Sequence, residues 1–538
     1  MKILTYIIIS LLGMMSTQAQ DIKERIHAET DKDFYLAGEQ MGVKLHSTDV
    51  QGRPQEFSRV AYVELLGDGE NAVRLKVEMK NAMGEAVVQL PYTLASGVYD
   101  LVAYTRWMRN EGEEVFFRRQ IGIFNSLRYL HDTDQLVFME GEAPASAEVP
   151  GNGNIQVKTD KLQYGNREKV TLSLEGVPDD ARLSVSVVRK DVALGKKDYP
   201  ALTEGRTDRG CQPELEGLIL DARLEGAEEN APVLRPNLTI QGDYIRYYAG
   251  QQTADGLVHF YTTTLPGVTE VVTSTNGKGH LRPLSPFVAT PSAQMRPVTL
   301  YRQQKDALTE RSIAIQAAEH FYPKVKIKKE VARTDEWLST VTPKWIFNMD
   351  EYKRFQTFEE TFIEFMPCVR TMGTKGKRRI VAFDSDVLAT SSGNTLVLLD
   401  GVVIMDHELL LAYDPHLVKI VEVYVEDFTF GDQLYNGILS VKTPNRKLSG
   451  FSLPQNSVAY GYEGVQPETD YPMPSAGEEV PRHLPDFRHT LYWNGHVSGT
   501  DKQLECRTSD MCGTYTVTVE GRTPDGKAIC GYTCFEVK

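Results

Sequence analysis

Residues 30–45 read TDKDFYLAGEQMGVKL, and 129 residues later the stretch 159–174 reads TDKLQYGNREKVTLSL. Thr, Asp, Lys, Tyr and Glu recur in register in the two stretches. Each stretch then continues with apolar residues at every second position, which is typical of a β-strand with one buried face. Internal similarity at a fixed offset indicates a duplicated unit. The sequence therefore predicts two copies of one β-rich module.

Short runs of strand-forming residues continue after the first copy, separated by turn residues. They lie at 60–66, 73–77, 86–90, 97–105 and 115–123. Several short strands at regular spacing predict an antiparallel β-sandwich. After the second copy a polar, charged stretch near 190–234 reads as an insertion, and strands are predicted to resume between 238 and 301. The predicted fold class is mainly β, with tandem antiparallel sandwich modules.

The first module resembles the second macroglobulin domain (MG2) of the alpha-2-macroglobulin family. The resemblance rests on the block SGVYDLVAYTRWMRN at 96–110 and on Asp31, Lys32, Tyr35, Gly38 and Glu39. It implies an MG2-like, Ig-like β-sandwich over 20–127, a linker over 128–153 and a second macroglobulin-like region over 154–325.

A different pattern begins at Asn394. An apolar run stops at Asp400-Gly401, which suits a tight turn because glycine accepts a positive φ. Helical apolar spacing follows and ends before Pro415, since the residue preceding proline avoids the helical region. Two more strands are predicted, at 418–425 and 438–441. Together these elements predict a small α/β domain over 342–444.

This stretch resembles the plug domain of TonB-dependent outer-membrane receptors. The matching residues are Leu398, Asp400, Gly401, Val418, Ile420, Glu422, Val423, Gly437, Ile438 and Thr443. A plugged transporter uses about 22 strands, at roughly ten residues each. Only 95 residues follow Thr443. We therefore expect a plug-like domain without a barrel.

The order of the segments resembles that of a family of exported Bacteroidetes proteins. The stretches MDEYKRFQTFEETFIEFMPCVR at 349–370 and LPDFRHTLYWN at 484–494 fit that family, as does the end of the chain. The resemblance implies a C-terminal β unit over 480–538.

The N-terminus predicts export. Lys2 precedes an apolar run to about Met15, and small residues at Thr17 and Ala19 describe a signal peptide over 1–19. A membrane anchor is the alternative, but the run is shorter than the roughly 20 residues of a spanning helix. No later stretch is predicted to span a membrane as a helix. We expect a protein of the periplasm or the outer membrane, with secretion left open.

Composition narrows the possible partners. The chain has 538 residues, a formal net charge of −14, 41% hydrophobic and 25% charged residues. These fractions are ordinary for globular domains. The acidic balance argues against nucleic acid, because phosphate binding needs clustered Lys and Arg.

Four of the six cysteines lie in the last 33 residues: Cys506, Cys512, Cys530 and Cys534. In an exported chain they predict disulfides, with three possible pairings. Zinc is the weaker alternative because no CxxC pair or interleaved His is present, and free thiols are a third. Cys211 and Cys368 are expected to be unpaired or buried, and not bonded to each other.

The sequence contains no recognised catalytic motif. No cysteine lies in the GCGEQ context of a macroglobulin thioester, and no GxSxG, HExxH or phosphate-binding loop occurs. His483, His489 and His496 have no metal-ligand spacing. We therefore predict no catalytic residue, no metal ligand and no cofactor, and hence no enzyme.

Two functions are left. The first is a non-enzymatic adaptor of the cell envelope, whose plug-like domain docks an envelope or outer-membrane protein through unpaired sheet edges. The second is a macroglobulin-related protein that interacts with proteases, as an endopeptidase inhibitor would, without a thioester. The sequence leaves the oligomeric state open.

Overall fold

The computed structural model of the chain describes residues 22–67, 71–141, 153–192, 198–199, 210–226, 235–291, 294–321, 341–384, 393–430, 433–469, 471 and 483–538. The predicted signal peptide and parts of the insertion near 190–234 lie outside these ranges. Strands dominate the described residues, which agrees with the predicted mainly-β class.

The strands before residue 200 are β1 (Arg25–Thr30), β2 (Phe34–Leu36), β3 (Gln40–Thr48), β4 (Val60–Leu66), β5 (Asn71–Glu78), β6 (Met83–Gln89), β7 (Gly97–Thr105), β8 (Phe117–Phe124), β9 (Leu136–Met139), β10 (Gln156–Thr159), β11 (Gln163–Tyr164), β12 (Lys169–Glu175), β13 (Arg182–Arg189) and β14 (Asp198–Tyr199). Next come β15 (Ile219–Glu225), β16 (Asn237–Ile240), β17 (Tyr247–Ala249), β18 (Gln251–Gln252), β19 (Leu257–Tyr261), β20 (Val268–Ser274), β21 (His280–Pro283) and β22 (Val298–Tyr301).

The remaining elements are α1 (Lys305–Phe321), β23 (Trp345–Asn348), α2 (Phe358–Phe365), β24 (Val369–Met372), β25 (Arg379–Ala382), β26 (Leu396–Leu399), β27 (Val402–Val403), α3 (His407–Leu411), β28 (Ile420–Phe430), β29 (Gln433–Lys442), β30 (Ser457–Glu463), β31 (Thr490–Ser498), β32 (Gln503–Arg507), β33 (Gly513–Arg522) and β34 (Ala528–Val537). Of the helices in the described ranges, none combines the length and apolar character needed to cross a membrane.

The chain forms two compact units. The first contains residues 1–215, 287–328 and 466–538, and the second contains 216–286 and 329–465.

Two sandwiches of the same topology make up most of the first unit. In the first sandwich, one sheet has the order β1-β3-β6 and the other β14-β8-β7-β4-β5, with β2 parallel to β8. In the second, the orders are β10-β12-β32 and β11-β34-β33-β13-β31, with β11 parallel to β34. Apart from β14, every strand of the first copy has a counterpart in the second. The duplication predicted from the sequence therefore extends to the whole module.

The C-terminal residues complete the second sandwich instead of forming a unit of their own. β33 pairs with β13 on one side and with β34 on the other, and β32 pairs with β12. Side chains from both parts of the chain share one core, including Val185, Tyr515 and Phe535. A separate unit at 480–538 is thus wrong, because β10–β13 alone would leave sheet edges and an apolar face uncovered. The predicted continuation of this module into 238–283 is also wrong, since those strands belong to the second unit.

Helix α1 and a short parallel pair, β9 with β22, pack beside the first sandwich. Phe34 and Leu36 of β2 share an apolar cluster with Leu300 of β22 and Leu308 of α1. At the position of Leu36 the second copy has Gly165, and at that of Phe34 it has Gln163. It therefore lacks the two apolar side chains that contact β22 and α1 in the first copy.

The second unit contains two four-stranded antiparallel sheets, β18-β19-β15-β21 and β17-β16-β20-β30, and one five-stranded sheet, β23-β28-β29-β26-β27. Within the last sheet β26 runs parallel to β29, and the other pairs are antiparallel. β24 and β25 form a separate hairpin. Residues 342–444 thus contain the α/β elements expected from the sequence.

Both faces of the five-stranded sheet are covered. Val397 and Leu399 face a core that includes Phe362 of α2 and Leu410 of α3. Leu396 and Leu398 face a second core with Tyr247 of β17. The apolar residues of this sheet are buried at Leu396, Leu398, Val418, Val423 and Ile438, and Ile420 is half-buried. Burial of both faces leaves the strands at the sheet edges as its accessible backbone.

Candidate functional site

The residues shared by the two copies perform the same structural task in each. Asp31 Oδ1 accepts hydrogen bonds from Tyr35 Oη at 2.6 Å and from the Gly42 amide at 2.9 Å. In the second copy, Asp160 Oδ1 accepts them from Tyr164 Oη at 2.8 Å and from the Thr171 amide at 2.6 Å. The aspartate therefore ties the turn before β2 or β11 to the next strand. These residues recur because they hold the module together.

A second shared feature lies at the start of β7 and β33. Tyr99 Oη donates to the carbonyl of Ala95 at 2.8 Å, and Tyr515 Oη donates to that of Met511 at 2.9 Å. Both tyrosines stand two residues after a glycine, Gly97 or Gly513. This Gly-x-Tyr match was present in the sequence, and it identifies the C-terminal strands as the missing part of the second copy.

The largest fully buried side chain among the described residues is Arg311 of α1, which is 1% exposed. Its Nε and Nη2 donate to the two carboxylate oxygens of Glu39, at 2.6 and 2.7 Å. Nη2 also donates to the carbonyl of Phe34 at 3.1 Å. This paired geometry attaches α1 to the first sandwich.

The same guanidinium extends the network to other parts of the unit. Arg311 Nη1 donates to Asp191 Oδ1 at 3.0 Å, and Asp191 Oδ2 lies 2.8 Å from His489 Nε2. Lys32 Nζ lies 3.5 Å from Glu39 Oε2 and donates to Thr490 Oγ1 at 3.2 Å. The network thus joins the first sandwich, α1, the segment after β13 and the start of β31.

Electrostatics keep these groups in fixed protonation states. Burial alone would raise the pKa of Glu39, but Arg311 and Lys32 outweigh it and lower the pKa from 4.5 to about 2. Burial and the charge of Arg311 lower the pKa of His489. The carboxylates are therefore ionised and His489 neutral at neutral pH. Each charged group has a partner, which favours a structural clamp over acid–base chemistry.

The other histidines singled out in the sequence do not form a centre. His496 Nε2 lies 2.9 Å from Glu85 Oε2, whereas His489 contacts Asp191. Among the described residues, no group of three His, Cys, Asp or Glu side chains is arranged to hold a metal ion.

The structure does not form the predicted disulfides. Cys506, Cys512, Cys530 and Cys534 are free thiols, as are Cys211 and Cys368. Cys506 faces the core of the second sandwich, where burial raises its pKa to about 12. Cys530 and Cys534 lie four residues apart on β34, about 13 Å along a strand. A disulfide needs Cα atoms within about 7 Å, so their positions prevent pairing.

Two residues of the plug-like pattern meet in the second unit. Asp400 is buried at φ 49°, and its carboxylate accepts from the Thr443 amide at 2.7 Å and the Thr443 hydroxyl at 2.6 Å. It also accepts from the Leu448 amide at 2.8 Å. Gly401 follows at φ 82°, and a Cβ there would lie 2.7 Å from the Ile240 carbonyl. Asp400 therefore fixes the loop after β29, and Gly401 permits the close approach of the Ile240 carbonyl.

The edge of the five-stranded sheet is the best candidate for a binding surface. β23 pairs with β28 and has no second neighbour among the described strands. Ile346 on β23 is 62% exposed, although Phe347 beside it is buried. Tyr352 stacks on Phe365 at a centroid distance of 4.3 Å, and Phe347 lies 6.1 Å from Tyr352. An open backbone edge thus lies next to a partly exposed aromatic cluster.

Comparisons with known proteins give no family assignment. No protein-family model matches the sequence, and a search of curated proteins found no match. Solved structures with partial similarity include an elastase-activated alpha-2-macroglobulin from Escherichia coli, at 10% identity, with a TM-score of 0.23 over 96% of this chain and 44% of that one.

Two further structures show the same level of similarity. Methylamine-reacted alpha-2-macroglobulin from Salmonella is 8% identical, with a TM-score of 0.22 over 96% of this chain and 39% of that one. Dimeric latent PorU from Porphyromonas gingivalis is 11% identical, with a TM-score of 0.17 over 52% of this chain and 34% of that one. This chain spans less than half the length of these macroglobulins.

Proposed function

We propose that this protein is a non-enzymatic adaptor of the cell envelope. Its duplicated sandwiches act as a spacer, and its plug-like α/β domain docks an envelope or outer-membrane protein. The expectation of an envelope location rests on the predicted signal peptide and on the resemblance to exported Bacteroidetes proteins.

The observation that carries the proposal is the open edge of β23. An unpaired edge strand offers backbone donors and acceptors to an extended segment of another protein, which binds by adding a strand. Natural proteins usually protect such edges with charged side chains or proline. Pro343 and Lys344 directly precede β23, but the strand itself contains neither proline nor a charged residue and its Ile346 is 62% exposed, which supports a role in binding.

The buried network around Arg311 supports the spacer role. A spacer needs modules that do not separate from each other. Glu39, Arg311 and Asp191 connect three segments of the first unit. Separating these segments would expose the buried charges or leave them without partners, which costs several kcal/mol.

The test is co-purification from the native envelope. We expect Ile346→Lys to remove a partner that the unchanged chain retains, because an edge lysine opposes strand addition. Ile363→Lys is the matched control, since Ile363 is 81% exposed on α2 in the same unit. A chain lacking 342–444 should lose the same partner. An unchanged partner list for Ile346→Lys and for the deletion would remove the docking proposal.

The second candidate, a protease-interacting macroglobulin relative, is supported by the MG2-like residues of the first module. It would act without a thioester: Cys368 is buried with its pKa raised to about 11, and Cys211 is followed by Gln212 and Pro213. Incubation with broad-specificity proteases tests it. Stoichiometric loss of protease activity would favour this candidate, whereas simple degradation or resistance would leave the adaptor.

A further inference from the structure

The β24–β25 hairpin is a basic projection on an acidic protein. Residues 372–377 are all exposed. Four cations of the hairpin are exposed and form no ion pair with a described residue: Arg370, Lys375, Lys377 and Arg379. The whole chain has a formal net charge of −14. This positively charged cluster therefore has the opposite sign to the net charge of the chain.

A fifth cation, Arg378, holds the hairpin in place. The Glu408 carboxylate of α3 accepts from the amides of Gly376 and Arg378, at 2.7 and 2.8 Å, and from Arg378 Nη2 at 2.7 Å. Arg378 Nη1 also lies 2.6 Å from Glu359 Oε2 of α2. The loop is thus fixed against two helices before any partner binds. Arg378 with its two carboxylates has a net charge of −1, so the hairpin region still has an excess of positive charge.

Charge and shape together indicate the partner. The cations are carried by a turn that is exposed throughout, whereas helical and extended peptides are usually bound in grooves or along sheet edges. Met372 at the same turn is 42% exposed, which places an apolar side chain among the cations. Basic residues with an interspersed apolar group suit the interface of an anionic bilayer, where cations meet phosphate and apolar groups enter the headgroup boundary.

We propose that the β24–β25 hairpin docks on an anionic bilayer surface. The inference rests on the proposed adaptor function and adds a contact with lipid. In this view β23 binds a protein partner, and the hairpin binds the phosphates of the membrane in which that partner lies. Because the remainder of the chain is acidic, the contact is local and sensitive to salt.

Vesicle co-sedimentation of the full chain tests this inference. We expect binding to phosphatidylcholine vesicles that contain phosphatidylglycerol, no binding to pure phosphatidylcholine, and release as salt is raised. Each lysine near such a surface contributes about fivefold in affinity, so Lys375→Gln with Lys377→Gln should weaken binding ~30-fold. The matched control is Lys527→Gln with Lys538→Gln, since these lysines of the second sandwich are 80% and 66% exposed.

Three results would overturn the inference. The first is equal binding to neutral and anionic vesicles. The second is a loss of vesicle affinity in the control variant equal to that in the Lys375→Gln, Lys377→Gln variant. The third is binding to polyglutamate without binding to anionic vesicles. None of them bears on β23. If the vesicle experiment fails while Ile346→Lys still removes the protein partner, the bilayer contact is wrong and the adaptor function stands.

Discussion

Replacing Arg311 with methionine tests whether the buried network holds the first unit together. Methionine fills much of the volume of arginine but leaves Glu39 and Asp191 without their shared cation. The side chains of these two carboxylates are 7% and 2% exposed. Lys32 stays 3.5 Å from Glu39, and His489 stays 2.8 Å from Asp191. Loss of one partner from a buried ion pair still costs several kcal/mol, so the variant should be strongly destabilised.

The size of the effect follows from the titration of Glu39. The fall of its pKa from 4.5 to about 2 corresponds to about 3 kcal/mol, at about 1.4 kcal/mol for each pKa unit. Loss of one partner of a buried ion pair typically costs about 3–5 kcal/mol. We therefore expect Arg311→Met to lower the free energy of unfolding of the first unit by about 3–5 kcal/mol.

The pH dependence has a defined sign. In the unchanged chain the pKa of Glu39 is lower when folded, so its stabilisation is present above pH 4.5 and is lost as the pH falls towards 2. In Arg311→Met mainly Lys32 still opposes the effect of burial, so the pKa of this carboxyl rises from its value in the unchanged chain. The variant therefore loses less stability than the unchanged chain when the carboxyl protonates, and the difference between the two proteins should narrow with falling pH.

Hydrogen exchange followed by mass spectrometry measures the change. Peptides from β2 and α1 should exchange faster in Arg311→Met, whereas peptides from β26 and β29 in the second unit should not change. Arg302→Met is the matched control, because Arg302 pairs with Glu140 at the surface with side chains 75% and 83% exposed. An exchange profile for Arg311→Met equal to that of the control would refute the reasoning.

Three further predictions follow from other buried groups. Without reductant, native alkylation should label Cys534 rapidly and Cys506 only after unfolding, because Cys506 is buried with a raised pKa; comparable rates measured by intact mass would contradict this. Asp400→Ala removes the acceptor of three hydrogen bonds, so it should destabilise the second unit by about 2–4 kcal/mol, and limited proteolysis should find the first unit as resistant as before. Tyr515→Phe removes the bond to the Met511 carbonyl and should cost about 1–2 kcal/mol in urea unfolding, with Tyr99→Phe as its counterpart in the first sandwich; no loss in either variant would exclude a structural role for these hydroxyls.

The candidate binding surface could be predicted only in part. The Asp400-Gly401 turn and the strands around it were evident from apolar runs and turn residues. The elements that cover the sheet were not evident: Tyr247 and its neighbours cover one face, and α2 and α3 cover the other. Sequence patterns show that a strand is apolar on both sides, but they do not show which elements cover it.

The disulfide prediction failed for a related reason. Cysteine spacing in an exported chain favours pairing, but pairing depends on Cα separation and on the direction of each side chain. Cys506 lies in the core of the second sandwich, and Cys534 is exposed on β34. The register of the strands places each cysteine in the core or at the surface, and it therefore decides whether two cysteines can pair.

The sequence by itself determined the local structure of each module. Asp31 contacts Tyr35 and Gly42, four and eleven residues away, so its role and that of Asp160 are encoded within one short stretch. The tertiary structure alone decided which distant segments join these stretches. The amide of Glu168 donates to Thr508 across 340 residues, and Arg311 reaches Glu39 across 272. Alternation of apolar residues specifies a buried face but not the partner strand, so such pairings are selected only by the packing of the whole unit.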